Sequence, residues 1–208
     1  GLGMGKLGLR ERPKDTPGKQ ACAAVGQCEL MYLYDNLFAE YSITVAQMLL
    51  TKYILLEDRR KNVENAMERL IAHGVIPIIN ENDTVAIDEL ELEVGENDSL
   101  AATVAAIAKA DLLIIMSDID GLYDKDPHTY DDARLIPVVH EITDDIRALA
   151  GGAGTKLGTG GMITKLNAVE IAYDSDIDVV LMNGQHPKTL YDLFDGKTVG
   201  TFFCKKPD

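Results

Sequence analysis

The stretch SLAATVAAIAKADLLIIMSDIDG, Ser99 to Gly121, sets a helix, a buried strand and a polar loop in immediate succession. Its first part is rich in alanine, the strongest helix former, and Asp98 stands ahead of it as a natural N-cap. LLIIM, Leu112 to Met116, is a continuous apolar run bounded by polar residues, and it reads as a central strand covered on both faces. Ser117 and Asp118 leave its carboxyl end, and Asp120-Gly121 turns the chain.

The same alternation continues in both directions. Upstream, Lys19 to Glu40 reads as a helix with Pro17 near its start, and Ile43 to Leu50 as a strand. Asp58 to His73 reads as an amphipathic helix closed by Gly74, and Val75 to Ile79 as a strand. Downstream, Leu135 to Val139 is a short strand or ribbon, and Thr143 to Leu149 a short helix capped by its Thr-Asp-Asp run. Gly160 to Tyr173 is a helix, Val179 to Met182 a buried strand, Lys188 to Phe194 a helix and Val199 to Phe203 an edge strand. Apolar strands separated by helices imply an α/β fold with a largely parallel sheet covered on both faces. No repeat or linker interrupts residues 1–208, which are read as a single domain. In such a sheet ligands bind beyond the carboxyl ends of the strands, so the loops there are the places to search.

The chain has 208 residues, enough for one sizeable core, with 46% hydrophobic and 26% charged residues. No apolar run approaches the roughly 20 residues that span a bilayer. A net charge of −14 argues against a nucleic-acid partner, whose binding face should be basic. Cys22, Cys28 and Cys204 form no disulfide framework and read as reduced thiols of a cytosolic protein. Cys22 and Cys28 face different sides of one helix. His73, His128, His140 and His186 are scattered, so no metal site is expected. Gly3 to Gly8 matches G-x-G-x-x-G, but a dinucleotide fingerprint needs a strand before it; a turn feeding the next helix is expected instead.

Three strand-end loops carry chemistry. INENDTVAIDELELEVGENDS, Ile79 to Ser99, holds eight acidic residues and no Lys or Arg. A loop this long in a compact domain is usually functional or disordered, and the plain alternative is a solvated acidic loop. Asn80, Asn82 and Asn97 add amides that can recognise a carboxylate or an ammonium. MSDIDGLYDKDP, Met116 to Pro127, has Asp120, Asp124 and Asp126 in a spacing that only superficially resembles a calcium loop, because the downstream Glu is absent. GGAGTKLGTGGMITK, Gly151 to Lys165, has six glycines ahead of a helix. Their backbone N–H groups can converge on a phosphate at the helix N-terminus, with Lys165 reaching back to it. An acid-rich pocket and a glycine–lysine loop together suggest phosphoryl transfer. A carboxylate acceptor is permitted, since it is already ionised at neutral pH and needs no base. Its obstacle is repulsion from the phosphate, roughly 4 kcal/mol for unit charges 4 Å apart at an effective dielectric of 20. Lysines, Mg²⁺ and helix N-termini would offset it.

At these motifs the chain resembles the glutamate 5-kinases of the amino acid kinase family. The markers are KLGLRERP, QACAAVGQ, INENDTV, VGENDSLAA, SDIDGLYDKDP, GTGGMITK, VVLMNG and VGTFF, in that order from Lys6 to Phe203. The resemblance implies a three-layer αβα sandwich and the reaction of ATP with L-glutamate, with Mg²⁺, to give γ-glutamyl phosphate. It implies a cytoplasmic homo-oligomer at the first step of proline biosynthesis, with proline as a possible feedback inhibitor. It further implies that Asp83 and Asn97 hold glutamate and that Asp98 organises the active-site lysines. Ser117 and Asp118 would contact the nucleotide. Thr159, Gly160, Gly161, Met162, Ile163, Thr164 and Lys165 would form the nucleotide loop, with Lys165 on the transferring phosphoryl group.

Glu96 departs from the family, which often has Asp there. The family also begins with a strand carrying a lysine and a glycine-rich phosphate turn, and that segment is expected to be missing before Gly1. An RNA-modification-type domain common in the family is expected to be absent after Asp208. Two other readings stand beside this one. The chain could act on acetylglutamate, aspartate, carbamate or a nucleoside monophosphate, or it could be a non-catalytic amino-acid or nucleotide sensor.

Overall fold

The computed structural model describes residues 2–51, 57–85, 97–150 and 159–205. They fall into two compact units, Gly1–Glu93 and Val94–Asp208.

The first unit opens with α1 (Leu2–Lys6) and the long α2 (Thr16–Ala39). Of the Gly3-to-Gly8 segment, residues 3–6 are therefore helical and only Leu7 and Gly8 form the turn. Glycine at position 3 lets α1 lie against α2, because a Cβ there would come within 1.8 Å of the Cys22 carbonyl oxygen. Asp15 caps α2, accepting the Gly18 N–H at 2.9 Å, with Pro17 in the first turn. β1 (Val45–Leu50), α3 (Glu57–Ala72) and β2 (Ile76–Glu81) follow. Gly74 ends α3 at φ +70, in the left-handed conformation that glycine reaches without strain. β1 and β2 pair in parallel, with Val45 opposite Ile76 and Leu50 opposite Glu81.

The second unit carries most of the buried core. Its elements are α4 (Asn97–Ala108), β3 (Leu112–Ser117), β4 (Val138–Val139), α5 (Asp144–Ala150), α6 (Thr159–Tyr173), β5 (Asp178–Asn183), α7 (Thr189–Phe194) and β6 (Thr201–Phe203). The strand order is β3-β5-β6-β4. β3 with β5 and β4 with β6 are parallel, while β5 with β6 is antiparallel. Leu166, Ala168, Val169 and Ala172 of α6 meet Ala102 and Ala105 of α4 in a core closed by Val179, Leu181 and Phe203.

Two strand expectations are corrected. β6 lies inside its sheet, between β5 and β4, rather than at an edge. Among the described residues β3 stands at the end of the order rather than at its centre. An apolar run reports that both faces of a strand are covered; it carries no information about lateral neighbours. Two close approaches fix β6. Thr201, fully buried, accepts the Leu122 N–H at 2.8 Å and donates to the Ile136 carbonyl at 2.7 Å. Gly200, at φ +66, lies where a Cβ would come within 2.1 Å of the Leu181 carbonyl oxygen.

Candidate active site

The most shielded ion pair among the described residues of the second unit joins two helix starts. Asp98 lies in the first turn of α4, inside the helix rather than one residue before it, and Lys165 lies in the second turn of α6. Lys165 Nζ donates to Asp98 Oδ2 at 3.0 Å and to the Gly161 carbonyl at 3.1 Å. The Thr164 hydroxyl reaches the same two acceptors, at 3.3 Å and 3.0 Å. The pair is partly shielded, with side chains 14% and 23% exposed. A carboxylate in the first turn of a helix is favoured by the partial positive charge there. The sequence pattern had assigned Asp98 the job of a cap; its partner is instead a side chain 67 residues along the chain.

Thr159, Gly160, Gly161, Met162, Ile163 and Thr164 occupy the first two turns of α6 ahead of Lys165. A Cβ on Gly161 would meet nothing within 4 Å, so packing does not require glycine there. Its bareness leaves the backbone open to approach. The preceding glycines, within 151–158, lie outside the described residues.

Ser117 and Asp118 leave β3 at its carboxyl end, as expected, and the Ser117 hydroxyl donates to Asp118 Oδ1 at 3.1 Å. The Gly184 N–H donates to the Ser117 carbonyl at 2.7 Å, tying this end of β3 to the end of β5. Tyr123 and Asn183 were not picked out from the sequence, and Asp120 was read there only as a turn former and in a calcium-loop-like spacing. Asp120 accepts from Asn183 Nδ2 at 2.7 Å and from the Tyr123 hydroxyl at 3.1 Å. Burial first, and then the Asp120 carboxylate, push the Tyr123 hydroxyl above its ordinary pKa. Asn183 closes VVLMN at the carboxyl end of a buried strand, which was the available signal. The remaining aspartates of this loop take separate partners. Asp124 accepts the Arg134 N–H at 2.8 Å, and Asp126 accepts the His128 N–H at 2.9 Å and the Thr129 hydroxyl at 2.7 Å. Among the described residues no three His, Cys, Asp or Glu side chains gather to hold a metal ion.

The first unit contains a cavity of about 630 Å³ lined by residues of α1 and α2, by Asn80 at the end of β2 and by Asp83 just beyond it. Its charged lining residues are Arg12, Lys19 and Asp83. Asn80 Nδ2 donates to Gln27 Oε1 of α2 at 3.2 Å, while Asn80 Oδ1 accepts the Glu81 N–H at 2.9 Å. Asp83 is thus placed at a cavity wall. Asn97, in the second unit, is exposed at the start of α4. The acidic residues at 88, 89, 91, 93 and 96 lie outside the described residues.

The sequence profile of the amino acid kinase family matches residues 3–183, running through both units. The chain belongs to the amino acid kinase family. A relative named glutamate 5-kinase from Clostridium perfringens (strain 13 / Type A) is 49% identical over 209 residues, covering 99% of this chain and 78% of that protein. One of the same name from Clostridium tetani (strain Massachusetts / E88) is 52% identical over 204 residues, covering 98% of this chain and 76% of its own. The crystal structure of the T. acidophilum isopentenyl phosphate kinase product complex superposes with a TM-score of 0.61 at 19% identity. It covers 97% of this chain and 78% of that one, and it shares the fold of this amino acid kinase family member.

Proposed function

We propose that this chain is a glutamate 5-kinase, transferring the γ-phosphoryl group of ATP to the γ-carboxylate of L-glutamate. The carrying observation is identity of about one half with relatives of that name over nearly the whole chain. The cavity of the first unit supports it. L-Glutamate has two carboxylates and one ammonium, and Arg12, Lys19 and Asp83 offer two cations and one carboxylate. Asp83 would take the ammonium.

In the second unit Lys165 is the group suited to the transferring phosphoryl. Its ammonium has three protons, and Asp98 and Gly161 hold it by two acceptors. The third N–H is left to donate a hydrogen bond to a phosphoryl oxygen. Asp98 orients Lys165. Thr159 to Thr164 and the start of α6 would line the phosphates, and Ser117 and Asp118 the rest of the nucleotide. A γ-carboxylate oxygen attacks the γ-phosphorus in line. One P–O bond forms and the bond to ADP breaks, with no proton taken from the acceptor. Mg²⁺ would enter on the nucleotide phosphates with one or two carboxylates, Asp118 among them, and would neutralise phosphate charge.

The product, an acyl phosphate, fits the first step of proline biosynthesis in the cytoplasm, with proline as an inhibitor. Among the described residues no helix is long and apolar enough to cross a membrane. A homo-oligomer is consistent with α2, which buries none of its residues and exposes Tyr32, Leu33 and Leu37. The test is ADP release by the full chain with L-glutamate, acetylglutamate, aspartate, carbamate or UMP, with the acyl phosphate trapped by hydroxylamine. ADP release dependent on another acceptor and not on L-glutamate would overturn the proposal. Absence of ADP release with every acceptor, alongside tight ATP binding, would favour a sensor.

A further inference from the structure

In the first unit the side-chain amides of Asn80 and Gln27 form a bridge whose direction the backbone imposes. The Glu81 N–H can only donate, so the Asn80 atom facing it at 2.9 Å is the carbonyl oxygen. Asn80 Nδ2 is therefore the atom that faces Gln27, and Gln27 Oε1 accepts from it at 3.2 Å. Turning either amide over would set donor against donor. The bridge is partly buried and joins residues 53 apart in the chain. Both of its ends belong to the cavity wall, Gln27 on the α2 side with Lys19, and Asn80 on the β2 side with Asp83 just beyond it. Past β2 the backbone is anchored separately. The Asn82 N–H donates to the Leu50 carbonyl at 2.7 Å, and the Thr84 hydroxyl donates to Asn82 Oδ1 at 2.6 Å. Among the described residues no backbone hydrogen bond joins α2 to β2, so the amide bridge is what ties these two walls together.

We propose that Gln27 is a positioning residue for the acceptor. Through Oε1 and the Asn80 amide it sets the separation between the cation-bearing α2 wall and Asp83, and with it the fit of an amino acid that carries a second carboxylate. The role is exercised through Asn80 and needs no contact between Gln27 and the ligand. Gln27 Nε2 is buried and has no hydrogen-bond partner among the described residues, which is unfavourable and which an apolar side chain would avoid. The use of glutamine at this position therefore lies in Oε1. The inference rests on the reading of this cavity as the acceptor site.

The experiment compares wild type with the full chain carrying Gln27→Met, Asn80→Ala or both, by kinetics, calorimetric titration and thermal melts. Gln27→Met keeps the length of the side chain and removes the acceptor together with the unpaired donor, so Tm should hold. It should raise the KM and Kd for L-glutamate by about fivefold or more and leave kcat and the KM for ATP in place. In the Asn80→Ala background the same change should move the glutamate Kd by less than about twofold, because the partner it acts through is gone. If Asn80→Ala does not melt cooperatively, Asn80→Ser takes its place in the cycle. An unchanged glutamate Kd in Gln27→Met overturns the inference, and so does an effect of equal size in both backgrounds. A fall in Tm with KM rising for both substrates marks a merely structural role and overturns it as well. Should the wild type release no ADP with L-glutamate, the functional reading fails by itself. The inference is then decided by titrating L-glutamate, L-aspartate, N-acetyl-L-glutamate and glutarate. Binding of any of these that Gln27→Met weakens sustains it; binding of none, or binding that Gln27→Met leaves unchanged, refutes it.

Discussion

Replacing Lys165 by methionine removes one charge while keeping most of the side chain's volume. In the wild type Nζ is held 3.0 Å from Asp98 Oδ2 and 3.1 Å from the Gly161 carbonyl, so the cation is oriented before any nucleotide arrives. Loss of a preorganised donor aimed at developing charge costs ~10²–10³ in kcat, or about 2.7–4 kcal/mol. The KM for ATP should move far less, because the interaction is strongest in the transition state. Stability should fall too. Unit charges 3.0 Å apart attract by roughly 5–6 kcal/mol at an effective dielectric of 20. Desolvation and the 14% and 23% exposure of the side chains reduce the net loss to about 1–2 kcal/mol. For a chain of this length that lowers Tm by roughly 2–8 °C. Glutamate-dependent ADP release measures the first effect and a thermal melt the second. Asp98→Asn, which keeps an acceptor but loses the charge, should cost about tenfold in kcat. A Lys165→Met protein that melts cooperatively and retains kcat within roughly threefold of wild type would refute the assigned role.

Asp83→Ala should raise the KM for L-glutamate by about tenfold or more with little change in that for ATP, and glutarate, lacking the ammonium, should be a poor acceptor for wild type. A raised ATP KM with an unaltered glutamate KM would invert the assignment. Gly200→Ala should destabilise by at least about 3 kcal/mol, read from denaturant midpoints, since it combines a left-handed backbone with a collision at Leu181. Burial, and then Asp178, hold the Cys204 thiol above its ordinary pKa, so iodoacetamide at pH 8 should alkylate exposed Cys28 well before Cys204 by mass spectrometry. The Thr129 hydroxyl and the His128 N–H depress the Asp126 carboxyl below its usual range. Its folded pKa lies under its unfolded one, so its stabilisation is present above the ordinary carboxyl pKa and lost as pH falls through the folded value. The stability gap between wild type and Asp126→Asn should therefore be constant near neutrality and close in acid.

Apart from α1, the helices and strands of the described residues were legible because their cues are local. Gly74 closes α3 at a positive φ, and the Thr143 hydroxyl accepts the Ile146 N–H at 3.3 Å to cap α5. Lys165 could be placed near a helix start from the glycines before it, and Asp83 in a strand-end loop from the apolar run before that. The pairing of Asp120 with Asn183 was missed because, at 63 residues apart, it leaves no periodic trace.

The sequence by itself determined which segments beyond α1 are helical or extended and which loops carry acids, amides, glycines and a lysine. Propensity, capping and periodicity act over a few residues and need no partner. Only the tertiary structure decided what those groups face. β6 runs antiparallel beside β5 inside the sheet because Thr201 and Gly200 fit there and nowhere local demands it. Asp98 meets Lys165 because α4 and α6 pack through small side chains, Ala102 and Ala105 against Ala168 and Ala172. Gln27 is left with a buried donor because a backbone N–H 54 positions away, at Glu81, sets the direction of the hydrogen bonds that reach it. Such contacts depend on distance in space, which residue order does not encode one pair at a time.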